Sequence, residues 1–159
     1  MKKEFKYTYE YYESIKELSE EQQKIIKASE DARSTSYSPY SNFKVGAAIL
    51  LEDGTIIKGS NQENKAYPSG LCAERVALFS YGSQGHSSKI KMIAIAGGGD
   101  LLEKKDNFSP CGSCRQVMAE YSNIQEKHFE IILLNPDRSV TIYQGIHQLL
   151  PFIFGEKQL

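Results

Sequence analysis

The order in which strand-like and helix-like stretches alternate between residues 43 and 143 constrains the fold most strongly. Short apolar stretches typical of strands occupy residues 43–51, 55–60, 90–96, 129–134 and 139–143. Stretches with a helical spacing of apolar residues lie between them, at 71–81 and 112–121. Because a helix that connects two strands usually forms a crossover between parallel neighbours, this order predicts a mixed sheet covered by helices.

Two short connections and one upstream helix complete the predicted fold. Asp53-Gly54 predicts a tight hairpin turn between the first two strands. The connection at 135–138 is too short for a crossover, so the last strand should run antiparallel to its predecessor. Ser19 and Gln22 have the spacing of a capping box, which predicts a helix from there to about residue 35. Together these elements predict an α/β fold with three α/β/α layers and a mixed sheet of about five strands.

The rest of the sequence adds one segment and no second domain. No internal repeat or linker-like stretch divides residues 1–159, so we predict a single domain. Residues 1–18 form an N-terminal extension in which aromatic residues at 5, 7, 9 and 11 alternate with polar ones. This period of two predicts an additional edge strand.

Composition excludes several classes of protein. Lys plus Arg number 19 and Asp plus Glu number 20, which gives a formal net charge of −1 and excludes a strongly basic nucleic-acid binder. No apolar run approaches the roughly 20 residues that span a bilayer, and the start of the chain lacks the apolar region of a signal peptide. The 3 cysteines are too few for a disulfide framework and suit a reducing compartment. We therefore expect a cytoplasmic protein without nucleic-acid or membrane partners.

All the cysteines lie in two short phrases, each at the start of a predicted helix. Cys72 opens the phrase CAER, and Cys111 and Cys114 belong to the phrase PCGSCR. A helix N-terminus favours the thiolate, which is the form of cysteine that binds metal. The three thiolates can therefore converge on one zinc ion. Three protein ligands leave the fourth tetrahedral position for water, which is typical of catalytic zinc sites.

Charged residues beside these cysteines suggest catalytic chemistry. Glu74 lies in the first helical turn after Cys72, where a carboxylate can move a proton between water and a substrate. Three thiolates give a divalent ion excess negative charge, and Arg75 or Arg115 could offset that charge by donating to sulfur. A Cys-x-Glu phrase followed by Pro-Cys-x-x-Cys is the signature of zinc deaminases.

Several phrases together resemble those of the cytidine deaminase family, specifically its small homotetrameric branch with three cysteine ligands. They are YSNFKVGAA at 40–48, NQEN at 61–64, CAER at 72–75, PCGSCRQ at 110–116 and LLP at 149–151. The resemblance covers about residues 37–154. It implies hydrolytic deamination of cytidine and deoxycytidine, with one zinc ion per chain. It also implies that Cys72, Cys111 and Cys114 bind this zinc and that Glu74 is the proton shuttle.

The resemblance further implies a nucleoside-binding site. Asn61 and Glu63 would form hydrogen bonds to a ribose hydroxyl, and Phe43 would pack against the pyrimidine. The backbone N–H of Ala73 and the backbone carbonyl of Ser109 would bind the edge of the base.

The C-terminal segment is also similar to that of the family, whereas two other features depart from the family pattern. Phe154 belongs to an apolar tail, and in similar proteins such a phenylalanine enters the site of a neighbouring subunit, so a homotetramer is expected. Lys65 stands where the family usually has a small residue. The loop at 97–107 is longer than the resemblance leads us to expect.

Two other enzyme classes share parts of this pattern. Deamination of a different aminopyrimidine, such as a nucleoside antibiotic, is an alternative reaction, although Asn61 and Glu63 favour a ribosyl substrate. An enzyme that edits RNA or DNA is disfavoured by the net charge near zero and by the short connection at 135–138.

A non-catalytic zinc or redox module is the remaining alternative. Structural zinc sites normally have four protein ligands, and the three histidines have no motif that places them near the cysteines. A redox dithiol formed by Cys111 and Cys114 would leave Cys72 and Glu74 without a role.

Overall fold

The computed structural model describes residues 1–98 and 108–155. In these two stretches the α-helices are α1 (Glu20–Ala32), α2 (Ala73–Ser83) and α3 (Gly112–Ile124). The strands are β1 (Glu10–Tyr12), β2 (Lys44–Leu51), β3 (Ile56–Ser60), β4 (Ile90–Gly98), β5 (Glu130–Leu134) and β6 (Val140–Tyr143). Residues 99–107, which form most of the loop noted in the sequence, lie outside the described residues.

The strands form one mixed sheet in the order β1-β6-β5-β4-β2-β3. The sheet has 6 strands rather than about five, because the N-terminal extension adds the short edge strand β1 beside β6. The hairpin of β2 and β3 and the antiparallel pairing of β5 with β6 are both confirmed. The predicted α/β class is therefore confirmed, and β1 is the additional edge strand that was predicted for the N-terminal extension.

The first predicted crossover does not join neighbouring strands. The chain runs from β3 through α2 to β4, but β4 pairs antiparallel with β2 and parallel with β5. The prediction of parallel neighbours is therefore correct for β4 and β5 and wrong for β3 and β4. The burial pattern explains the order, since β4 is buried along most of its length whereas β3 exposes Lys58 and suits a sheet edge.

Helices cover both faces of the sheet, as the three-layer prediction requires. On one face, Ile25 and Ile26 of α1 pack in a cluster with Leu50 and Ile132. On the other face, α2 and α3 pack in a second cluster with alternate residues of the same strands. No helix within residues 1–98 and 108–155 has the length and apolar character needed to cross a membrane.

Local signals explain where two of the helices lie. The capping box that opens α1 is confirmed, since the Ser19 side chain accepts from the Gln22 N–H and the Gln22 side chain accepts from the Ser19 N–H. The start of α2 lies close against β3 at Gly59, where a Cβ would be 2.5 Å from the Ala77 nitrogen and 2.6 Å from the Ala73 carbonyl oxygen. Glycine therefore allows α2 to approach the sheet more closely than a side chain would permit.

Candidate active site

The N-termini of α2 and α3 bring three thiols together. Cys72 is the residue before the first turn of α2, and Cys111 has the same position in α3. The Cys111 sulfur lies 3.8 Å from that of Cys72 and 3.4 Å from that of Cys114. All three sulfur atoms lie within 4.8 Å of one another. The fold therefore joins residues that are separated by up to 42 positions in the sequence into one compact cluster.

The chemistry and spacing of this cluster fit a zinc ion. Zn–S bonds of about 2.3 Å in a tetrahedral site put neighbouring sulfur atoms about 3.8 Å apart. The Cys111 sulfur lies close to that separation from the sulfur atoms of both Cys72 and Cys114. Three thiolates would supply three of the four ligands of a tetrahedral zinc ion, the number that is typical of catalytic zinc sites.

Arg75 lies beside the cluster and supplies positive charge to it. Its Nη2 atom lies 3.8 Å from the Cys72 sulfur. The hydrogen bond with the Cys114 thiol and, secondarily, the Arg75 guanidinium lower the pKa of Cys72 to about 5, against the opposing effect of burial. At neutral pH this favours the thiolate that metal binding requires.

Glu74 is buried in the first turn of α2, next to the thiols. Its exposed fraction is 3%, and burial raises the pKa of its carboxyl group to about 7. A carboxyl group whose pKa lies near neutrality can both accept and donate a proton at physiological pH. The side chain therefore has the chemical character of a proton shuttle; it lies in the helical turn that follows Cys72 and forms a hydrogen bond with the Cys114 thiol of α3.

Arg115 differs from the sequence expectation that it could donate to sulfur. Its Nε donates to the Pro110 carbonyl at 2.9 Å, and its Nη2 donates to the Ser109 hydroxyl at 2.8 Å. Its Nη1 donates to the Leu149 carbonyl at 2.8 Å. The reason is the position of Arg115 on α3, which directs its guanidinium toward the loop before Cys111 and the C-terminal segment. Of these two arginines, Arg75 is therefore the one that offsets the negative charge of the thiolates.

A pocket of about 460 Å³ opens beside Cys72. It is lined by Tyr40, Ser41, Asn61, Gln62, Glu63, Asn64, Tyr67, Gly70, Leu71 and Cys72. This volume lies in the range of small-molecule sites. Among the described residues that line it, and leaving tyrosines aside, Glu63 and the Cys72 thiol are the only acidic or basic side chains. Within residues 1–98 and 108–155, the pocket lining therefore combines aromatic side chains with a carboxylate and includes no lysine or arginine.

The two predicted sugar-binding residues both line this pocket and are held firmly by the protein. The Asn61 Oδ1 accepts from the Val45 N–H at 2.8 Å and from the Ser36 hydroxyl at 2.5 Å, and its Nδ2 donates to the Phe43 carbonyl at 2.8 Å. Asn61 therefore fixes the pocket wall to the start of β2.

The carboxylate of Glu63 is held in a similar way. It accepts hydrogen bonds from the Tyr40 N–H at 2.9 Å and from the Ser41 hydroxyl. The Ser41 hydroxyl, and then the backbone N–H groups of Tyr40 and Ser41, lower the pKa of this partly buried carboxyl group. The supporting serines at 36 and 41 could not be recognised from the sequence, because each acts through a residue more than 20 positions away.

The other predicted substrate residues lie outside the residues that line the pocket. Phe43 is half-buried against the core, with its ring centroid 6.4 Å from that of Phe108. Ala73 is the buried first residue of α2, and Ser109 is exposed two positions before Cys111. The structure thus places Ala73 and Ser109 next to the thiol cluster along the chain, whereas Asn61 and Glu63 belong to the pocket wall.

Phe154 lies on the surface of the single chain. Its exposed fraction is 88%, and that of Phe152 is 86%. The backbone of Phe154 is held by Gln116 of α3, whose Nε2 donates to the Phe154 carbonyl at 3.1 Å and whose Oε1 accepts from the Phe154 N–H at 3.4 Å. Gln116 was not predicted as a site residue, although it ends the phrase PCGSCRQ.

Comparison with known proteins identifies the family to which this site belongs. The model of the cytidine and deoxycytidylate deaminase zinc-binding region matches residues 19–130. The chain belongs to the cytidine deaminase family. A probable cytidine deaminase of Dictyostelium discoideum is 40% identical over 141 residues, which is 88% of each chain. A cytidine deaminase of Halalkalibacterium halodurans is 38% identical over 87% of this chain and 98% of its own length.

Solved structures of the family have the same fold. The cytidine deaminase of Burkholderia pseudomallei superposes with a TM-score of 0.70 and 36% identity, covering 86% of this chain and 100% of its own. That of Mycobacterium tuberculosis superposes with a TM-score of 0.63 and 31% identity, covering 84% and 96%. The family match and the three clustered thiols together identify this site as the zinc-binding region of a deaminase.

Proposed function

We propose that this chain catalyses the hydrolytic deamination of cytidine and deoxycytidine. Water and the aminopyrimidine are converted to ammonia and to uridine or deoxyuridine, a reaction suited to pyrimidine salvage. The observation that carries the proposal is the cluster of Cys72, Cys111 and Cys114 beside the buried carboxyl group of Glu74. The family match supports the same reaction class.

Each residue of the cluster has one role in the proposed reaction. Cys72, Cys111 and Cys114 hold one zinc ion, and Arg75 offsets the charge of their thiolates. Zinc, when bound, lowers the pKa of water toward neutrality. Glu74 accepts a proton from the attacking water and delivers protons to N3 and to the leaving amino group of the base. Its burial supports this role, because a raised pKa makes both directions of transfer accessible.

The proposed substrate contacts divide between the sugar and the base. Asn61 and Glu63 bind a ribose hydroxyl in the pocket beside Cys72, and their existing hydrogen bonds fix their positions before substrate arrives. Phe43 packs against the pyrimidine. The Ala73 N–H and the Ser109 carbonyl bind the edge of the base.

The charge of the pocket supports a nucleoside over a nucleotide substrate. No lysine or arginine is among the described residues that line the pocket, and the groups there that carry charge at neutral pH are the Glu63 carboxylate and the Cys72 thiolate. A phosphate on the same sugar would therefore be repelled and would lose its hydration without gaining a partner. Nucleic acid is disfavoured as a substrate for the same reason.

The proposed assembly is a cytoplasmic homotetramer in which residues 1–159 act as one domain per subunit. Phe152 and Phe154 are both more than 85% exposed in the single chain, and exposed apolar side chains at one place are typical of an interface. A closed symmetric assembly would bury them. In such an assembly Phe154 would reach the base-binding site of a neighbouring subunit.

An ultraviolet assay of the purified protein tests the proposed reaction. Cytidine, deoxycytidine, cytosine, CMP and adenosine are compared at equal concentrations, with Glu74→Gln as the inactive control. We expect loss of cytidine and deoxycytidine, with CMP and adenosine unchanged. Turnover of adenosine or CMP without turnover of cytidine would overturn the substrate assignment. A protein that binds no zinc and deaminates nothing would leave only the redox interpretation of Cys111 and Cys114.

A further inference from the structure

The N-terminal arm, defined as residues 5–12, lies outside the stretch that matches the family model and packs against the C-terminal part of the chain. The Thr8 N–H donates to the Gln148 Oε1 at 2.7 Å. The ring centroid of Tyr9 lies 5.8 Å from that of Tyr143. The arm ends in β1, which pairs with β6. Several independent contacts therefore fix its course across the molecule.

Aromatic side chains of the arm reach the loop that precedes Cys111. Phe5 and Tyr7 line a cavity of about 320 Å³ together with Ser109 and Arg115. Both residues are exposed in part, at 51% and 62% respectively, so each also buries part of its surface against the protein. The arm thus borders the segment that includes the proposed base-binding carbonyl and leads directly into a proposed zinc ligand.

Arg115 connects this loop to the segment that receives the arm. Its guanidinium donates to Pro110 and Ser109 on one side and to the Leu149 carbonyl on the other. Gln148, the acceptor of the Thr8 N–H, is the residue before Leu149. A continuous set of contacts therefore leads from the arm through the 148–149 backbone and Arg115 to the loop at 109–110.

We propose that the N-terminal arm positions the Ser109–Pro110 loop and thereby strengthens binding of the pyrimidine. Phe5 and Tyr7 are positioning residues, since they act on substrate through Ser109 and Arg115. The inference rests on the proposed function, in which the Ser109 carbonyl binds the base. Without the arm the loop samples other conformations, and substrate binding must then include the free-energy cost of ordering it. The zinc ligands and Glu74 are unchanged, so KM rises while kcat is retained.

The test compares the double variant Phe5→Ala/Tyr7→Ala with the parent and with Tyr11→Ala. Tyr11 is a matched control because it lies on the same arm with a similar exposed fraction, 55%, but does not line the cavity. We expect the double variant to raise the KM for cytidine about threefold to tenfold, since the apparent affinity falls in proportion to the fraction of molecules in which the loop is ordered. We expect kcat to stay within about twofold and zinc content to be equal. The single variant Tyr7→Phe should have the KM of the parent, because the packing of the ring, and not the hydroxyl group, is proposed to matter.

Hydrogen exchange gives a readout that is independent of catalysis. Amides at residues 108–116 should exchange faster in the double variant than in the parent or in Tyr11→Ala. Unchanged exchange would overturn the proposal and leave the proposed function intact. Faster exchange with an unchanged KM would also overturn it, because the arm would then order the loop without affecting substrate. A parent protein without deaminase activity would instead refute the proposed function.

Gln148 provides a second test that changes neither of the aromatic side chains of the arm. Gln148→Ala removes the acceptor of the Thr8 N–H, whereas Gln148→Glu keeps an oxygen at that position. We expect Gln148→Ala to raise the KM for cytidine, as the double variant does. The KM of Gln148→Glu should stay closer to that of the parent. The proposal is overturned if the parent, Gln148→Ala, Gln148→Glu and the double variant all have the same KM, because the arm would then have no part in substrate binding.

Discussion

Gly59→Ala tests whether the close approach of α2 to the sheet positions the active site. The new Cβ would lie 2.5 Å from the Ala77 nitrogen, whereas ordinary contacts begin at 3.4 Å. Because the obstructing atoms belong to the helix backbone, α2 must shift by roughly 1 Å or the strand must bend. Overpacking of this kind costs about 1–3 kcal/mol of stability. The shift also moves Cys72 and Glu74 relative to the thiols of α3.

The expected loss of activity exceeds what lost stability explains. A displacement of about 1 Å at the reacting groups can reduce the rate by up to about 10²-fold, so we expect kcat/KM to fall by about 10- to 100-fold. Zinc affinity, measured by competition with a chelator, should fall as well. Thermal unfolding, followed by circular dichroism, should show a midpoint lower by about 2–4 °C for each kcal/mol lost.

Ile25→Val is the control for a loss of stability alone. Ile25 is fully buried in α1, on the opposite face of the sheet from α2 and the thiols. Its truncation should lower the free energy of unfolding by about 0.5–1.5 kcal/mol without moving α2, and kcat/KM should stay near that of the parent. The reasoning is refuted if Gly59→Ala lowers the unfolding temperature but keeps the activity and zinc affinity of the parent.

Further substitutions test the separate parts of the site. Cys111→Ala should lose both zinc and activity, measured by metal analysis of the purified protein, and one tightly bound zinc per chain would exclude Cys111 as a ligand. Asn61→Ala should lower the free energy of unfolding by about 1–3 kcal/mol in denaturant titration, because it leaves the Val45 N–H and the Phe43 carbonyl without their partner. Phe154→Ala should raise the KM for cytidine about twofold to tenfold with zinc retained, since an aromatic contact contributes about 0.5–1.5 kcal/mol. A fully active monomer in sedimentation would contradict a site shared between subunits.

Elements with strong local signals were predictable from the sequence. The capping box at Ser19 and Gln22 fixed the start of α1, because its hydrogen bonds join residues three positions apart. The Asp53-Gly54 turn predicted the hairpin, since the turn alone determines how adjacent strands pair. The phrases around Cys72 and Cys111 predicted the thiol cluster, because both cysteines precede helices whose starts could meet.

Features that depend on distant contacts were not predictable. The position of β4 beside β2 depends on which open edge of the hairpin is buried, and local periodicity carries no information about that choice. Arg115 follows Cys111 by four positions, and this helical spacing would also suit a contact between its guanidinium and the sulfur. Its oxygen partners include Leu149, which is 34 residues away. The contacts of the N-terminal arm likewise join residues up to 140 positions apart.

The turnover of Glu74→Gln at full zinc content tests the central claim most directly. The substitution keeps the size of the side chain and all three thiols but removes the group that is proposed to carry protons. Glu120→Gln is the matched control, because Glu120 is exposed on α3. We predict that Glu74→Gln binds one zinc per chain and loses at least about 10²- to 10⁴-fold in kcat for cytidine, the contribution typical of general acid–base catalysis. Near-parent turnover by zinc-loaded Glu74→Gln would contradict the account, since proton transfer would then not depend on Glu74.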